Sequence, residues 1–347
     1  MSDPLEVAWF AALCDDDYEF LGVPEPSRLS NWPHCRDIAL TAQSGGFHNI
    51  LLPSGYGLGI DAVSFAAGLA PQLDQMKMLL AVRMGEMWVP QLARQLATID
   101  QMAGGRLTIN IISSDIPGEQ LDSAPRYQRT AEWMTVLRQL LDGESVDFHG
   151  SFVDLTIDPP RIRTVSGTCP PFYFGGFSNA AKDTAAAHAD VFLTWPDTVG
   201  AVAETVDDMN RRAEAAGRRL GYGLRSHVIV RETEAEAMAA AERLVSRLDD
   251  DLGAQIRGRS LDSASVGVQR QAALRDDADD DGFAEANLWT GIGRARSGAG
   301  AAIVGDPGQV VAKLEAYRDV WISTFILSGY PHREECELVA RHVLPRL

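Results

Sequence analysis

The chain has 347 residues, enough for a large core, and its 48 acidic against 31 basic residues give a formal charge of −17. That balance argues against nucleic acid or an anionic membrane surface as the main partner, so an anionic substrate would need individually placed arginines. Cys14, Cys35, Cys169 and Cys336 show no CxxC spacing and read as reduced thiols without a zinc site, and the start of the chain shows neither a basic-apolar leader nor a bilayer-length run, which predicts a cytoplasmic protein.

Short apolar runs alternate with segments of helical period. Strands are predicted over Val7–Leu13, Asn49–Leu52, Met76–Val82 and Leu107–Ile112. Helices follow them over Cys35–Gln43, Ala62–Leu73, Pro90–Met102 and Tyr127–Leu141, the last closed by Asp142-Gly143. Further strands are predicted at Phe172–Phe174, Val191–Trp195, Leu224–Val230 and Thr324–Leu327. A repeated βα unit with about eight strands predicts a (β/α)8 TIM barrel, the topology that right-handed crossovers make economical. Two insertions interrupt it. The segment near 145–157 alternates around Gly150 and reads as a hairpin, whereas 249–286 carries an acidic run and a helical piece around Val268–Leu274. The second reads as an active-site cover, with plain disorder as the alternative.

In such a barrel the C-terminal ends of strands face the active site, and the motifs with chemical content lie there. Phe174-Gly175-Gly176-Phe177-Ser178-Asn179 ends a strand and opens the helix Ala180–Ala189, with Ser178 as its N-cap. Bare amides at that terminus suit a phosphate, and ordinary capping is the alternative. Neither GxGxxG nor GxxxxGK[ST] is present. Arg225 and His227 alternate on one face of a strand and form either a compact cationic anion site or a salt-bridged strand end. The stretch Gly291–Gly300 joins glycine density to Arg294 and Arg296, a loop able to close over an anion. Ser328-Gly329-Tyr330-Pro331-His332 puts a phenol and an imidazole just past a strand, or else is a turn with two exposed polar residues. Asn110 and Trp195 end their strands and could flank a ring system.

Several of these stretches occur together and in order: Phe172-Tyr173-Phe174-Gly175-Gly176, Leu193-Thr194-Trp195, Arg225 to Thr233, Ala241-Glu242-Arg243-Leu244, Trp289 to Gly293, Gly298-Ala299-Gly300, Val304-Gly305-Asp306 and Leu327 to His332. In this the chain resembles, over nearly its whole length, the two-component alkanesulfonate monooxygenases of the bacterial luciferase-like flavin family. The resemblance implies a single luciferase-like TIM-barrel domain over 1–347. It also implies use of reduced FMN (FMNH2) from a separate NAD(P)H-dependent flavin reductase, O2 as co-substrate, and cleavage of a carbon-sulfur bond to give sulfite and an aldehyde. Arg225, His227, Arg296 and Tyr330 carry over as the catalytic set around the sulfonate. Asn110, Ser113, Tyr127, Gly176 and Ser178 carry over as the flavin and phosphate contacts. Trp195, Tyr56, His332 and Arg294 are assigned to the substrate, and a homodimer or dimer of dimers is expected through helices beside the early strands.

Two departures from the family pattern bear on the organic group. The histidine expected after the first strand is replaced in Leu13-Cys14-Asp15-Asp16-Asp17-Tyr18, with Cys14 the nearest counterpart. The cysteine expected after the second strand is absent from Ser54-Gly55-Tyr56-Gly57-Leu58-Gly59-Ile60-Asp61. A hydroxyl-bearing loop and a carboxylate-rich loop suit a substrate with several hydroxyls, so a sulfosugar such as sulfoquinovose is the preferred substrate. Simple alkanesulfonates, another luciferase-like flavin or F420 oxidoreductase, and a non-catalytic flavin-binding scaffold are the alternatives.

Overall fold

The computed structural model describes residues 4–258 and 265–347. In chain order the strands are Glu6–Phe10 (β1), Asn49–Leu52 (β2), Lys77–Arg83 (β3), Leu107–Ile112 (β4), the hairpin Val146–His149 (β5) and Asp154–Ile157 (β6), Phe172–Gly175 (β7), Val191–Thr194 (β8), Gly221–Val230 (β9), Phe283–Glu285 (β10), Leu288–Trp289 (β11), Ala302–Gly305 (β12) and Thr324–Ser328 (β13). The helices are Trp32–Ser44 (α1), Ala62–Leu69 (α2), Val89–Met102 (α3), Ser123–Asp142 (α4), Asn179–His188 (α5), Val199–Ala215 (α6), Glu234–Val245 (α7), Asp250–Gly258 (α8), Val266–Asp276 (α9), Pro307–Asp319 (α10) and His332–His342 (α11). None of them is long and apolar enough to cross a membrane.

β1, β2, β3, β4, β7, β8, β9 and β13 pair side by side in parallel, and β13 returns to β1, so the barrel closes. These are the eight strands expected from the apolar runs. The first is shorter than expected: Ala11–Leu13 leave the ladder after Ala11 donates to Leu51 at 2.9 Å, and Leu13 turns back to receive Ile60 at 3.0 Å. β9 is longer. Its first residues pair with β8, and from His227 onward the same edge takes up β12. β12 carries the antiparallel pair β11 and β10, a ribbon beyond the barrel that the sequence pattern did not reveal.

Side chains inside the barrel are layered from polar to apolar to charged. At the N-terminal end Glu6 accepts from Asn49 at 3.2 Å, Tyr173 at 3.0 Å and Lys77 at 2.8 Å, a plug that satisfies its buried polar groups. Above it Ala8, Leu79, Tyr173 and Ile326 fill the lumen, and Phe10 and Leu51 form the last apolar layer below the mouth. The apolar faces of α2 and α3, the helices beside the early strands, are buried in the chain's own main core: Phe65, Leu69, Leu92 and Leu96 are all within it.

Local chemistry fixes the elements around the mouth. α4 stops at Gly143, whose φ of 77° is the left-handed position that glycine tolerates. The hairpin is seated by one carboxylate: Glu132 accepts from the amides of Ser151, Phe152 and Val153 at 3.0, 2.7 and 2.9 Å. In the second insertion α8 and α9 are helices, and residues 259–264 lie outside those described. α8 reaches the turn Gly291–Arg294 so closely that a Cβ on Gly253 would stand 2.4 Å from the Arg294 carbonyl oxygen.

Candidate active site

The mouth of the barrel opens into a cavity of about 330 Å3, within the range of small-molecule sites. One end is polar, with the hydroxyls of Ser123, Tyr127 and Ser178, the Arg126 guanidinium and Gly176 around it. Ser178 caps α5 by accepting from Ala181 at 3.2 Å, so the free amides of that helix face this end. Gly176 leaves room there, since a Cβ would lie 2.6 Å from the Ala181 Cβ and 3.4 Å from the Tyr127 hydroxyl. Arg126 donates to Asp115 at 3.2 Å, and its Nε is buried without an acceptor. The other end is apolar, walled by Leu51, Ile111, Leu193, Ile326 and Trp195. Gly267, after the undescribed stretch, leans over Trp195 and Phe177; a Cβ on it would meet their rings at 2.7 and 3.0 Å. Asn110 and Ser113 also line the cavity.

Arg225 also lines this cavity and leads from it into a buried cluster. β9 sends Arg225 and His227 inward together because they are two apart on one strand. The Arg225 guanidinium carbon stands 4.4 Å from the centre of the Phe10 ring and that of Arg296 5.5 Å from the same ring. Two cations thus lie against one aromatic ring. Arg296 donates from Nη1 to Asp16 at 2.9 Å and to the Tyr330 hydroxyl at 2.6 Å. Tyr330 stacks on His227 with centroids 5.0 Å apart and meets His332 edge-on at 5.2 Å. The Tyr330-Pro331 peptide is cis, and Asp17 holds the segment after it by accepting from the His332 amide at 2.8 Å. Ser328 and His227 Nδ1 are 2.8 Å apart.

The cluster is short of partners. Arg225 donates one bond, to the Ser226 carbonyl at 2.9 Å, and its Nη2 is buried without an acceptor, as are Arg296 Nε, His227 Nε2 and both ring nitrogens of His332. Unpartnered buried polar groups cost free energy, so several of them gathered in one cluster suit a polar ligand. Burial, and then the neighbouring Arg296 charge, push Arg225 down to about 9, the mark of a cation without a counter-ion. Burial opposes the charge of Arg296 too, but the Tyr330 oxygen and Asp16 outweigh it and raise that guanidinium above its ordinary value. Burial lifts the Tyr330 phenol despite Arg296, leaving it a neutral donor. His227 lies well below the usual imidazole range through burial and the two arginines, and is neutral.

A mouth-side cavity with an aromatic wall is joined to two buried guanidiniums, Arg225 from β9 and Arg296 from the loop before β12. The family model for luciferase-like monooxygenases matches residues 20–324. The chain belongs to the luciferase-like monooxygenase family. It is 59% identical to a sulfoquinovose monooxygenase of Novosphingobium aromaticivorans over 99% of this chain and 96% of that one. To another of Agrobacterium fabrum it is 49% identical, over 99% and 90%. Among solved structures it resembles a riboflavin lyase with modified FMN and riboflavin, with a TM-score of 0.79 at 15% identity over 99% of this chain and 91% of that one, a likeness of fold.

Within this monooxygenase the residues singled out in the sequence fall into three groups. Asn110, Ser113, Tyr127, Gly176, Ser178, Trp195 and Arg225 line the cavity. His227, Arg296, Tyr330 and His332 gather behind Arg225, and the last two are buried, not the exposed polar pair of the turn reading. Tyr56 and Arg294 stand apart. Tyr56 is 71% exposed on its loop, and Arg294 belongs to the short helix against which α8 rests, its carbonyl accepting from Arg257. Cys14 is a poor substitute for a histidine: burial, and then Asp16, push its thiol up to about 12, so it stays protonated.

The acid-rich first loop is also used differently from its sequence reading as a set of hydroxyl acceptors. Asp15 accepts from the Ser30 amide at 2.8 Å and the Gly59 amide at 2.9 Å. Asp17 accepts from His34 at 2.9 Å as well as from His332. Asp16 alone retains a buried oxygen, Oδ1, without a donor. Sequence reading missed Asp16 as the partner of Arg296 and Phe10 as the platform of both guanidiniums. Phe10 carried no signal of that role, because the apolar run continues to Leu13 and hides the end of the strand.

Proposed function

We propose that the chain is an FMNH2-dependent sulfonate monooxygenase acting on sulfoquinovose or a related sulfosugar. One oxygen atom of O2 becomes the carbonyl of an aldehyde and the other becomes water. The carbon-sulfur electron pair leaves with sulfur as sulfite, and the two electrons that balance the reaction come from reduced flavin. The observation that carries this reading is the pair Arg225 and Arg296 over Phe10 with a neutral Tyr330 between Arg296 and His227.

The lining fits FMN. Hydroxyls of Ser123, Tyr127 and Ser178, the unpartnered Arg126 Nε and the α5 amides suit a phosphate, and the apolar end suits a planar ring. When bound, the reduced flavin supplies the oxygen chemistry. Arg225 and Arg296 neutralise and orient the sulfonate, and guanidinium forks match its oxygens in pairs. Tyr330 donates its hydroxyl proton to a developing oxyanion, held in line by Arg296. The lid formed by α8 and α9 excludes water. Support for the sugar comes from the two relatives, and from the single free acceptor on Asp16 rather than from the whole acidic loop. The reductase is a separate NAD(P)H-dependent protein, and the functional unit is a homodimer or dimer of dimers.

The test is sulfite release by the purified protein with FMN, a flavin reductase, NADH and O2. Sulfoquinovose should turn over at least tenfold more efficiently than alkanesulfonates of similar length. Efficient turnover of the alkyl compounds with none of the sulfosugar would reject the sugar assignment, and flavin-independent or O2-independent turnover would reject the monooxygenase reading.

A further inference from the structure

The buried face of α9 consists of Gly267, Gln271 and Leu274, which helical spacing brings to one side. Such a face is ordinarily an apolar stripe. Leu274 keeps to that rule by packing with Leu288 and Ala301, but Gln271 puts a primary amide in the middle of the face at 7% exposure. A buried amide costs free energy unless both of its ends are paired. Here Nε2 donates to the Pro196 carbonyl at 2.7 Å and Oε1 accepts from the Gly300 amide at 2.7 Å.

Those two partners belong to different walls. Pro196 follows Trp195, against which Gly267 of the same helix leans, and Arg270 adds a bond from Nη2 to Asp197 at 2.8 Å. This end of α9 is thereby fixed to the segment Trp195–Asp197. Gly300, in contrast, closes the loop that carries Arg296. Gly293 donates its amide to the Gly300 carbonyl at 2.7 Å, which draws the two ends of that loop into a neck. The other polar groups of the neck are taken up by α9: Arg275 Nη1 donates to the Gly293 carbonyl at 2.9 Å, and Gln271 receives the Gly300 amide. Gln271 and Arg275 are one turn apart and act from one side of the helix. The approach is close, since a Cβ on Gly300 would stand 3.1 Å from the Gly293 Cα and 3.4 Å from Gln271 Oε1. Between the two glycines Arg296 reaches out to Asp16 and the Tyr330 hydroxyl through Nη1. A shift of the neck therefore moves that guanidinium.

We propose that Gln271 is a positioning residue for Arg296: by tying the neck of the loop to Pro196, it sets where the guanidinium stands against Tyr330 and the sulfonate. This rests on the reading of Arg296 as a sulfonate contact. Gln271 is not among the described residues that line the main cavity, so it acts through Arg296 and not on the substrate. It also explains why a polar side chain occupies the middle of a buried helix face: a leucine there would pack but would hold neither wall.

A double-mutant cycle on the full-length protein tests it, read as kcat/KM for sulfite release from sulfoquinovose with FMN and a flavin reductase. Gln271→Met keeps the length of the side chain and removes both bonds. It should lower kcat/KM by about ten- to a hundredfold, the scale of a small misplacement of a binding group. In an Arg296→Ala background the same substitution should cost less than about threefold, because the group it positions is gone. Gln271→Glu, which keeps the acceptor for Gly300, should recover most of the loss. FMN affinity, read from flavin fluorescence, checks folding, and Gln271→Leu serves the same cycle if the methionine variant does not fold. Equal losses in the two backgrounds would make Gln271 a support of the fold alone and overturn the proposal, as would an unchanged kcat/KM in Gln271→Met. If the unsubstituted protein releases no sulfite from any sulfonate, the proposal falls together with the desulfonating reading, whereas normal release with additive losses rejects the proposal and leaves that reading standing.

Discussion

The two sides of the barrel mouth solve opposite electrostatic problems. On the β4 and β7 side, a ligand meets hydroxyls, helix amides and Arg126, which already has Asp115 as its counter-ion. On the β9 and β13 side, Arg225 has no carboxylate partner among the described residues, and Arg296 has only Asp16. On the first side capping, Asp115 and solvent leave the Arg126 Nε as the buried donor without a partner, whereas the second carries several groups that are in deficit until an anion arrives. The lesson is that the first should hold its ligand by many small contributions and the second by a few large ones.

The largest expected effect is therefore at Arg225. Arg225→Ala should lower kcat/KM for the sulfonate by about 10²–10³, equivalent to some 3–4 kcal/mol from a desolvated charge pair, while FMN affinity changes less than tenfold. Arg225→Lys should recover little of this, because an ammonium lacks the fork that pairs with two oxygens. Steady-state sulfite release and flavin titration of the same preparations decide it. A parallel loss in both would show that the two sides are one site energetically. Next comes Tyr330→Phe, which keeps the ring stacked on His227 and removes the donor. About a hundredfold loss in kcat is expected, with the sulfonate KM and FMN affinity little changed.

How far these two sides could be read from sequence differs for a physical reason. The barrel was legible because each strand is a short apolar run with a helical period after it, and residues two apart on β9 had to share a face. The cap at Ser178 was legible because capping is local. The partners of the cations were not. Asp15, Asp16 and Asp17 are adjacent and identical in type, and the turn at Asp15, with φ of 51°, sends each toward a different element. β10–β12 were missed because these strands of two to four residues exist only by pairing in series, β12 on the end of β9, β11 on β12 and β10 on β11. Tyr56 looked like a substrate contact from its loop, but Gly59 and Ile60 pin that loop to Asp15 and Leu13 and leave the tip in solvent.

The contrast between the two sides should also appear in the response to acid. Burial lowers the pKa of His227 and of His332, the latter against the pull of Asp17 and Asp16. Both are neutral when folded and take up a proton when unfolded, so their contribution is intact above the unfolded value of about 6.5. Below it the unfolded state binds more protons, and stability falls as pH drops, by at most about 1.4 kcal/mol per pH unit for each group. Thermal melts between pH 7.5 and 5.5 should show this decline, and His332→Asn should make it shallower. An unchanged slope in that variant would mean that another group carries the acid sensitivity.

Asp16→Asn addresses the counter-ion of Arg296 on the charged side. The amide keeps the shape and one acceptor but removes the charge that competes with an incoming sulfonate for Arg296. Sulfonate binding should tighten by a few-fold while kcat falls about tenfold, because Arg296 is then less firmly held against Tyr330. Weaker binding with unchanged kcat would instead make Asp16 a direct substrate contact through its free oxygen.

The smallest effect is expected on the polar side, at Ser178. Ser178→Ala removes the side-chain acceptor of the Ala181 amide, a capping loss of about 1 kcal/mol in stability. It also removes one of several hydroxyls facing the phosphate end, so FMN should bind only about three- to tenfold more weakly. Because the α5 amides, Tyr127 and Arg126 remain, added FMN should restore turnover fully. That rescue separates the two sides: Arg225→Ala should not regain its activity at any flavin concentration. A Ser178→Ala protein that stays slow under saturating FMN would mean that the α5 cap sets the geometry of the charged side as well, and that the two sides are mechanically joined through β7, β8 and β9.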